Sequence, residues 1–303
     1  MMLAPAENLS SSGRQVRRAW ISRIFAAGAF ACTLVGILAL AVLIYQVLDD
    51  GLTRLSLPFL MDLPSRFADK AGFKPAIAGS LWVMGVTAVL TIPVGMGAAI
   101  YLELYAPRNW ITRFIQINIA NLAGVPSIIY GILGLALFVR AMQLERSVLA
   151  AALTMSLLVL PIVIIASQEA LRAVPTSLRD GALALGATRW QTVRGQILPV
   201  AMPGMLTGVI LALSRAIGET APLIMIGAFQ YVPFTPGAPW DLPDALFSRF
   251  TVMPVQIYAW AARPQEAFQA TAAAGIIVLL FILLSLNSVA ILLRNHYQGK
   301  VRW

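Results

Sequence analysis

Charge is what this sequence has least of. Only 12% of its 303 residues are Asp, Glu, Lys or Arg, roughly half the share found in a soluble domain. So few cannot cover a water-facing surface of ordinary size. Cysteine and histidine are nearly absent, with one of each, Cys32 and His296. A lone cysteine inside an apolar run forms no internal disulfide. A single histidine near the C-terminus argues against a histidine-built metal or catalytic centre and reads as solvated at an interface. No Gly-x-x-x-x-Gly-Lys-Ser/Thr segment is present either. The only Gly-Lys, Gly299-Lys300, is followed by Val301, so the chain has no loop of that kind to cradle nucleotide phosphates. Paired catalytic carboxylates, a Ser/His pair and a metal-ligand cluster are also missing. That sets aside an intramembrane enzyme, and no cofactor or metal is expected.

What is there is apolar: 59% of the residues, with a mean hydropathy of +0.80. Long apolar runs fall at 24–48, 76–102, 114–139, 147–167, 200–228 and 270–293. A helix needs about 20 such residues to cross the hydrocarbon core. The runs are rich in Leu, Ala and Ile and lack the alternation of barrel strands. The expected fold is therefore all-α, a polytopic transmembrane helical bundle of six spans. Pro93 and Gly95 inside the second run are tolerable where neighbouring helices satisfy the freed backbone. Asn121, Pro126, Ser127 and Gly131 in the third suit a helix packed on protein. The first run follows the cluster Arg14, Arg17, Arg18 and Arg23. It exceeds a signal-peptide core and lacks a cleavage site before Asp49-Asp50, so it is expected to persist as the first helix. The division expected is a tail at 1–23, a membrane domain at 24–293 and a tail at 294–303. The domain carries a polar loop at 168–199 and a proline-rich loop at 229–269. Within the latter, 244–262 reads as one interfacial helix anchored by Leu246, Phe247, Phe250, Tyr258 and Trp260.

The basic residues set the orientation. With the N-terminus in the cytoplasm, the cytoplasmic segments carry 13 Lys and Arg against four acids. The outer segments carry eight of each. Both termini are then cytoplasmic, and the net charge of +9 lies on that side. Anionic lipid headgroups account for it without a nucleic-acid partner.

The stretch 168–198 is too long for a simple turn between spans. Pro175 and Ser177 can start one short helix, Gly186 can break it, and Thr188 can cap a second. Leu178, Leu183, Leu185, Trp190, Val193 and Ile197 offer apolar contacts. Such a pair either lies on the membrane surface or docks on a cytosolic partner.

A second unusual stretch places Arg215 and Glu219 inside the fifth run. Arg215 falls about 22 Å into that span at ~1.5 Å per residue. An unpaired arginine there costs several kcal/mol. On a helical wheel the pair shares a face with Gly204, Gly208 and Ala212, with Leu206, Ile210, Leu213 and Ile217 opposite. It is therefore expected to face the bundle interior or a cavity, as a packing salt bridge or as a substrate site. An arginine fork suits a tetrahedral oxyanion. A carboxylate beside that anion suits one that still carries a proton at neutral pH, as phosphate does and sulfate does not.

Several stretches carry a family resemblance. Asp180-Gly181-Ala182, Gly186 and Leu198-Pro199 resemble the EAA loop of bacterial ABC importer permeases. Asp180-Gly181 replaces Glu-Ala, and the usual isoleucine falls at Gln196, with Ile197 one place on. Arg215-Ala-Ile-Gly-Glu219-Thr220-Ala-Pro222, the segments 122–131 and 206–215, and Met253-Pro-Val-Gln-Ile-Tyr-Ala-Trp260 are similar to the A-type permease subunits of phosphate-specific ABC importers. The likeness covers roughly 76–297. It implies the type I ABC importer permease fold and a multi-pass protein of the bacterial plasma membrane. It further implies a second, C-type permease subunit, a dimer of ATP-binding subunits that hydrolyse the ATP, and an extracytoplasmic phosphate-binding protein. The expected function is ATP-driven phosphate import. Arg215, Glu219, Thr220, Ser127 and Asn121 would contact the substrate; Asp180, Gly181, Ala182, Gly186, Leu198 and Pro199 would couple to the ATPase. Where many relatives carry an arginine before Ser-x-Glu-Ala, this chain has Ile165, and Arg172 lies seven residues on. The alternatives are a permease for another oxyanion or small solute, and a channel or scaffold subunit working without ATP.

Overall fold

The computed structural model describes residues 11–229, 231–237 and 240–298. Glu7, Lys300 and Arg302, counted in the charge balance, lie outside them, as do Pro239 and the side chains of Arg14 and His296. In chain order the helices are α1 (Ser11–Leu52), α2 (Leu57–Met61), α3 (Lys74–Ile100), α4 (Trp110–Ala123), α5 (Ser127–Gly134), α6 (Val148–Arg172), α7 (Thr176–Ala184), α8 (Arg189–Thr192), α9 (Leu198–Ile217), α10 (Ala221–Ile226), α11 (Leu242–Phe247), α12 (Met253–Ala261) and α13 (Glu266–Gln298). The fold is all-α. Five helical runs are long and apolar enough to span a membrane, and α4 with α5 make a sixth if the bent pair counts as one. The chain divides into two units, Met1–Asp50 and Gly51–Trp303. The first is, over its described residues, helix α1 up to Asp50; the stretch Arg17–Leu52 of that helix is long enough to cross.

The second unit is built on α6. Ala151, Met155, Val159 and Val163 along it are wholly buried, as the unbroken apolar run requires. α3 lies parallel to it. Gly95 permits the approach, since a Cβ there would come within 2.7 Å of Val163. The Thr87 hydroxyl donates to the Ala152 carbonyl at 3.3 Å. α9 packs antiparallel on α6, with Gly204 facing Ala170 and Gly208 facing Ala166. Pro93, Pro161 and Pro203 all sit inside helices that continue past them.

Three apolar stretches differ from one straight helix each. The third run is bent by 102° between Trp110–Ala123 and Ser127–Ala141. Gly124 ends α4, and Pro126, with ψ 134°, precedes α5. Proline lacks the N–H a continuing helix needs and drives the residue before it out of the α region. The fifth run begins earlier and stops earlier than 200–228. A π-helical turn over Val193–Ile197 joins α8 to α9, giving a continuous run Arg189–Ile217. After Gly218–Thr220 only the six residues of α10 remain helical. The expected interfacial helix at 244–262 is two helices separated by extended chain. Arg249 forms an antiparallel bridge with Ser147, and Val148 N–H donates to the Ser248 carbonyl at 3.1 Å. Phe250 and Trp260 are buried rather than interfacial anchors. Trp260 packs with Phe59 and Phe73 at 5.2–5.9 Å between ring centroids, a large apolar contact.

Candidate functional site

Helix register fixes the depth of Arg215. A four-residue step along α9, Gly204 to Gly208, matches a four-residue step back along α6, Ala170 to Ala166. Continued, that register brings Arg215 level with about Val159, near the middle of Val148–Arg172. At ~1.5 Å per residue the level is about 17 Å from one end of α6 and about 20 Å from the other.

α9 stops two residues after Arg215. Gly218 N–H donates to the Arg215 carbonyl at 3.2 Å and Glu219 N–H to the Ala216 carbonyl at 3.1 Å. The turn is tight but no longer α-helical. Arg215 thus stands in the last helical turn, where the terminal carbonyls favour a cation. Glu219 lies beyond the helix rather than on a continuing face. The turn nevertheless keeps the two together, with Arg215 Nε 3.6 Å from Glu219 Oε1. Their side chains are 68% and 20% exposed respectively. Among the described residues the pair is held by charge at that distance, and the outer guanidinium nitrogens have no hydrogen-bond partner.

The small-residue stripe behaves differently from the wheel expectation. Gly204 and Gly208 do pack on α6, but the stripe continues through Ala212 and Ala216, 2% and 1% exposed. Arg215 turns outward from this chain instead of into its interior. Ile210, Leu213 and Ile217 line a crevice of about 280 Å³ with Leu81 and Met84 of α3 and Leu286 of α13.

Thr220 is the residue before α10 and is half-buried. α10 packs directly on α5: a Cβ on Gly131 would lie 2.7 Å from Pro222 Cα. Ser127, half-buried, opens α5. The two helices carrying Thr220 and Ser127 are therefore brought together. Asn121 lies across the bend at the exposed end of α4. The Tyr130 hydroxyl donates to the Leu122 carbonyl at 2.8 Å and ties the bend closed. No described hydrogen bond joins Asn121, Ser127 or Thr220 to the charged pair.

The polar loop folds as two short helices. α7 carries Asp180, Gly181 and Ala182, the first two exposed. Gly186 takes φ +86°, the left-handed conformation that favours glycine. Thr188 then starts α8 with a reciprocal cap: Gln191 N–H donates to Thr188 Oγ1 at 3.3 Å, and Thr188 N–H donates to Gln191 Oε1 at 2.8 Å. The apolar residues divide by role. Val193 and Ile197 are buried, each 4% exposed, against Leu102, Leu171 and Ala201. Leu185 and Trp190 project outward, 90% and 57% exposed. Leu198 and Pro199, half-buried, form the first turn of α9.

Ile165 is half-buried on α6. Arg172 does not stand in for an arginine there. It lies about 20 Å from the Arg215 level along α6, and it binds Glu103 and Glu169 at 3.0 Å each. Two polar links on α13 were not anticipated from the sequence. Ser214 hydrogen-bonds Asn287, and Arg294 Nη1 donates to Thr207 Oγ1 at 3.2 Å. Asn287, a polar amide inside the sixth apolar run, is the signal that could have pointed to the first.

Comparison with known proteins adds three findings. The family model described as "Binding-protein-dependent transport system inner membrane component" matches residues 91–302. A phosphate transport system permease protein PstA from Yersinia pestis is 31% identical over 284 residues, 91% of this chain and 92% of the relative. Its namesake from Haemophilus influenzae is 30% identical over 271 residues, 88% and 91%. A probable ABC transporter permease, YqgI of Bacillus subtilis, is 31% identical over 204 residues, 65% and 69%. Among solved structures, a chain of a bacterial alginate ABC transporter superposes with a TM-score of 0.63 over 95% of this chain and 97% of its own length, at 15% identity. A chain of the MetNI methionine ABC transporter in an inward-facing conformation gives 0.56 over 73% and 94%, at 18% identity. These last two are likenesses of fold.

Proposed function

Because the chain belongs to the binding-protein-dependent transport system inner membrane component family, and is a multi-pass inner-membrane protein, we propose that it is the permease subunit of an ATP-driven importer of inorganic phosphate. The observation that carries this reading is Arg215: a guanidinium with free outer nitrogens, at the middle of the bundle and beside Glu219. A mid-membrane cation turned out of its own chain needs a counter-surface. We assign that surface to a second, related permease subunit, with the anion passing between the two. Thr220 and Ser127, on helices packed together, and Asn121 complete the contacts. Glu219 accepts or shares the proton that phosphate carries.

Both termini are assigned to the cytoplasm by the basic-residue balance. Asp180, Gly181, Ala182 and Gly186 then form the surface that meets a separate ATPase dimer. Leu185 and Trp190, exposed on the same loop, supply its apolar contact. Val193 and Ile197 lock the loop to the membrane domain, and Leu198-Pro199 pass its displacement into the continuous helix that carries Arg215 in its last turn. An extracytoplasmic phosphate-binding protein delivers the cargo at the opposite face.

The test is ATP-driven phosphate uptake by the reconstituted complex. Arg215→Ala is expected to lower uptake by roughly 100-fold or more, and Arg215→Lys by about tenfold, since a lysine keeps the charge and loses the fork. Uptake by Arg215→Ala at the unmodified rate would end the proposal. Sulfate uptake in place of phosphate would assign the site to another oxyanion, and flux without ATP would assign the chain to a channel.

A further inference from the structure

The largest polar cavity described lies far from Arg215, where two spans leave the bundle. It measures about 670 Å³ and is lined by Arg108, Arg113 and Arg172, with Glu103, Trp110 and Gln116 among the remaining walls. The span Lys74–Tyr105 ends at it through Glu103, and α6 ends at it through Arg172. The cavity therefore sits at the level where a membrane presents its headgroups.

Its charges are unequally satisfied. Arg172 is held by Glu103 and Glu169, which uses up the one carboxylate in the lining. Arg108 and Arg113 are exposed, and among the described residues neither meets a carboxylate. Two uncompensated guanidiniums opening on one cavity repel each other and attract an anion. A guanidinium fork matches a phosphate oxygen pair. Beside them Trp110 and Phe114 are 76% and 61% exposed. Tryptophan concentrates where hydrocarbon meets headgroup.

We infer that this cavity is a binding site for a phosphate-bearing anion, with Arg108 and Arg113 as its ligands and a membrane phospholipid headgroup as the occupant the flanking aromatics favour. The site is separate from the transport path and does not depend on the cargo proposed above. The same chemistry would also take free inorganic phosphate, so the experiment needs two arms.

In the first, the full complex is placed in phosphatidylcholine nanodiscs with and without phosphatidylglycerol, and the lipid retained after extraction is counted by native mass spectrometry. Arg108→Gln/Arg113→Gln is expected to lower phosphatidylglycerol retention by roughly thirty-fold at this site, the combined effect of two cations near a membrane surface. Arg66→Gln/Lys70→Gln, which removes the same charge elsewhere, leaves retention unchanged. In the second arm, inorganic phosphate binding is measured in phosphatidylcholine alone with Arg215→Gln in the background, which removes the other proposed anion ligand. Phosphate binding that disappears with the Arg108/Arg113 pair assigns the site to free phosphate. If the pair fails to assemble, Arg113→Gln alone carries the test with roughly fivefold loss. A variant that changes neither lipid retention nor phosphate binding overturns the inference, as does an equal loss in the Arg66/Lys70 control.

Discussion

α6 and the α9–α10 segment lie side by side, and both are apolar helices with a proline inside, yet one is continuous and the other is broken. α6 runs from Val148 to Arg172 past Pro161, with Met155, Val159 and Val163 along one side wholly buried. α9 runs past Pro203 and then ends at Ile217. Proline alone therefore does not decide where these helices break. The difference lies in the residues just beyond Ile217: Gly218, Glu219, Thr220, and Pro222 at the second position of α10. Glycine has little preference for continuing a helix, and a proline in the first turn favours starting a new one. The break falls level with the middle of α6, so the unbroken neighbour supplies the wall against which a mid-membrane terminus is held. Arg215 gains from that terminus, because the last carbonyls of α9 favour a nearby cation.

The contrast is easiest to break at the contact between the two helices. A Cβ on Gly208 would stand 2.4 Å from the Ala166 Cβ, so even alanine requires the helices to part. Gly208→Val is expected to cost about 3 kcal/mol and to reduce the amount of assembled complex recovered in detergent. The compensating change Ala166→Gly should restore part of that loss, because it removes the atom in the way. Recovery of Gly208→Val at the unmodified level and melting temperature would show that α9 does not rest on α6 at this point.

A smaller effect sharpens the role of the break itself. Glu219→Gln keeps the size of the side chain and removes the charge facing Arg215. If the carboxylate selects an anion that brings a proton, phosphate uptake falls by about tenfold relative to sulfate, a change of ~1.4 kcal/mol in discrimination. Unchanged preference in a competition assay between the two anions would reduce Glu219 to a packing partner of Arg215.

Much of this arrangement was legible in the chain. Six apolar runs gave six spans once α4 and α5 are taken together, and Gly186 and Thr188 marked the turn and cap inside the polar loop because glycine at positive φ and a threonine cap are local chemistry. Gly204 and Gly208 marked a close helix contact because small residues four apart let two backbones approach, though not which helix they meet. What was not legible needed tertiary partners. The bend at Pro126 is written in Gly124 and Pro126, but the partner it brings α5 against, α10 at Gly131 and Pro222, is not. Trp260 has the composition of an interfacial anchor and is instead enclosed by Phe59 and Phe73, residues some 200 positions away in the chain. Arg215 shares a wheel sector with the glycines, yet a one-residue offset leaves Ala216 buried and Arg215 exposed. A helical wheel resolves faces but not the edge of a face.

The least expected effect is on the other flank of α9. Ser214, adjacent to Arg215, bonds the Ile210 carbonyl at 2.7 Å and meets Asn287 of α13. If this link only holds α13 to α9, Asn287→Leu removes an interhelical hydrogen bond worth about 0.6 kcal/mol and lowers the thermal midpoint slightly. Phosphate uptake should then stay within about twofold, because Ser214 points away from the open face of Arg215. α6 would remain the main support of the broken helix and α13 a secondary one. A loss of uptake as large as that of Glu219→Gln, with stability unchanged, would instead mean that the orientation of Arg215 is set from α13, and the comparison with α6 would have the wrong partner.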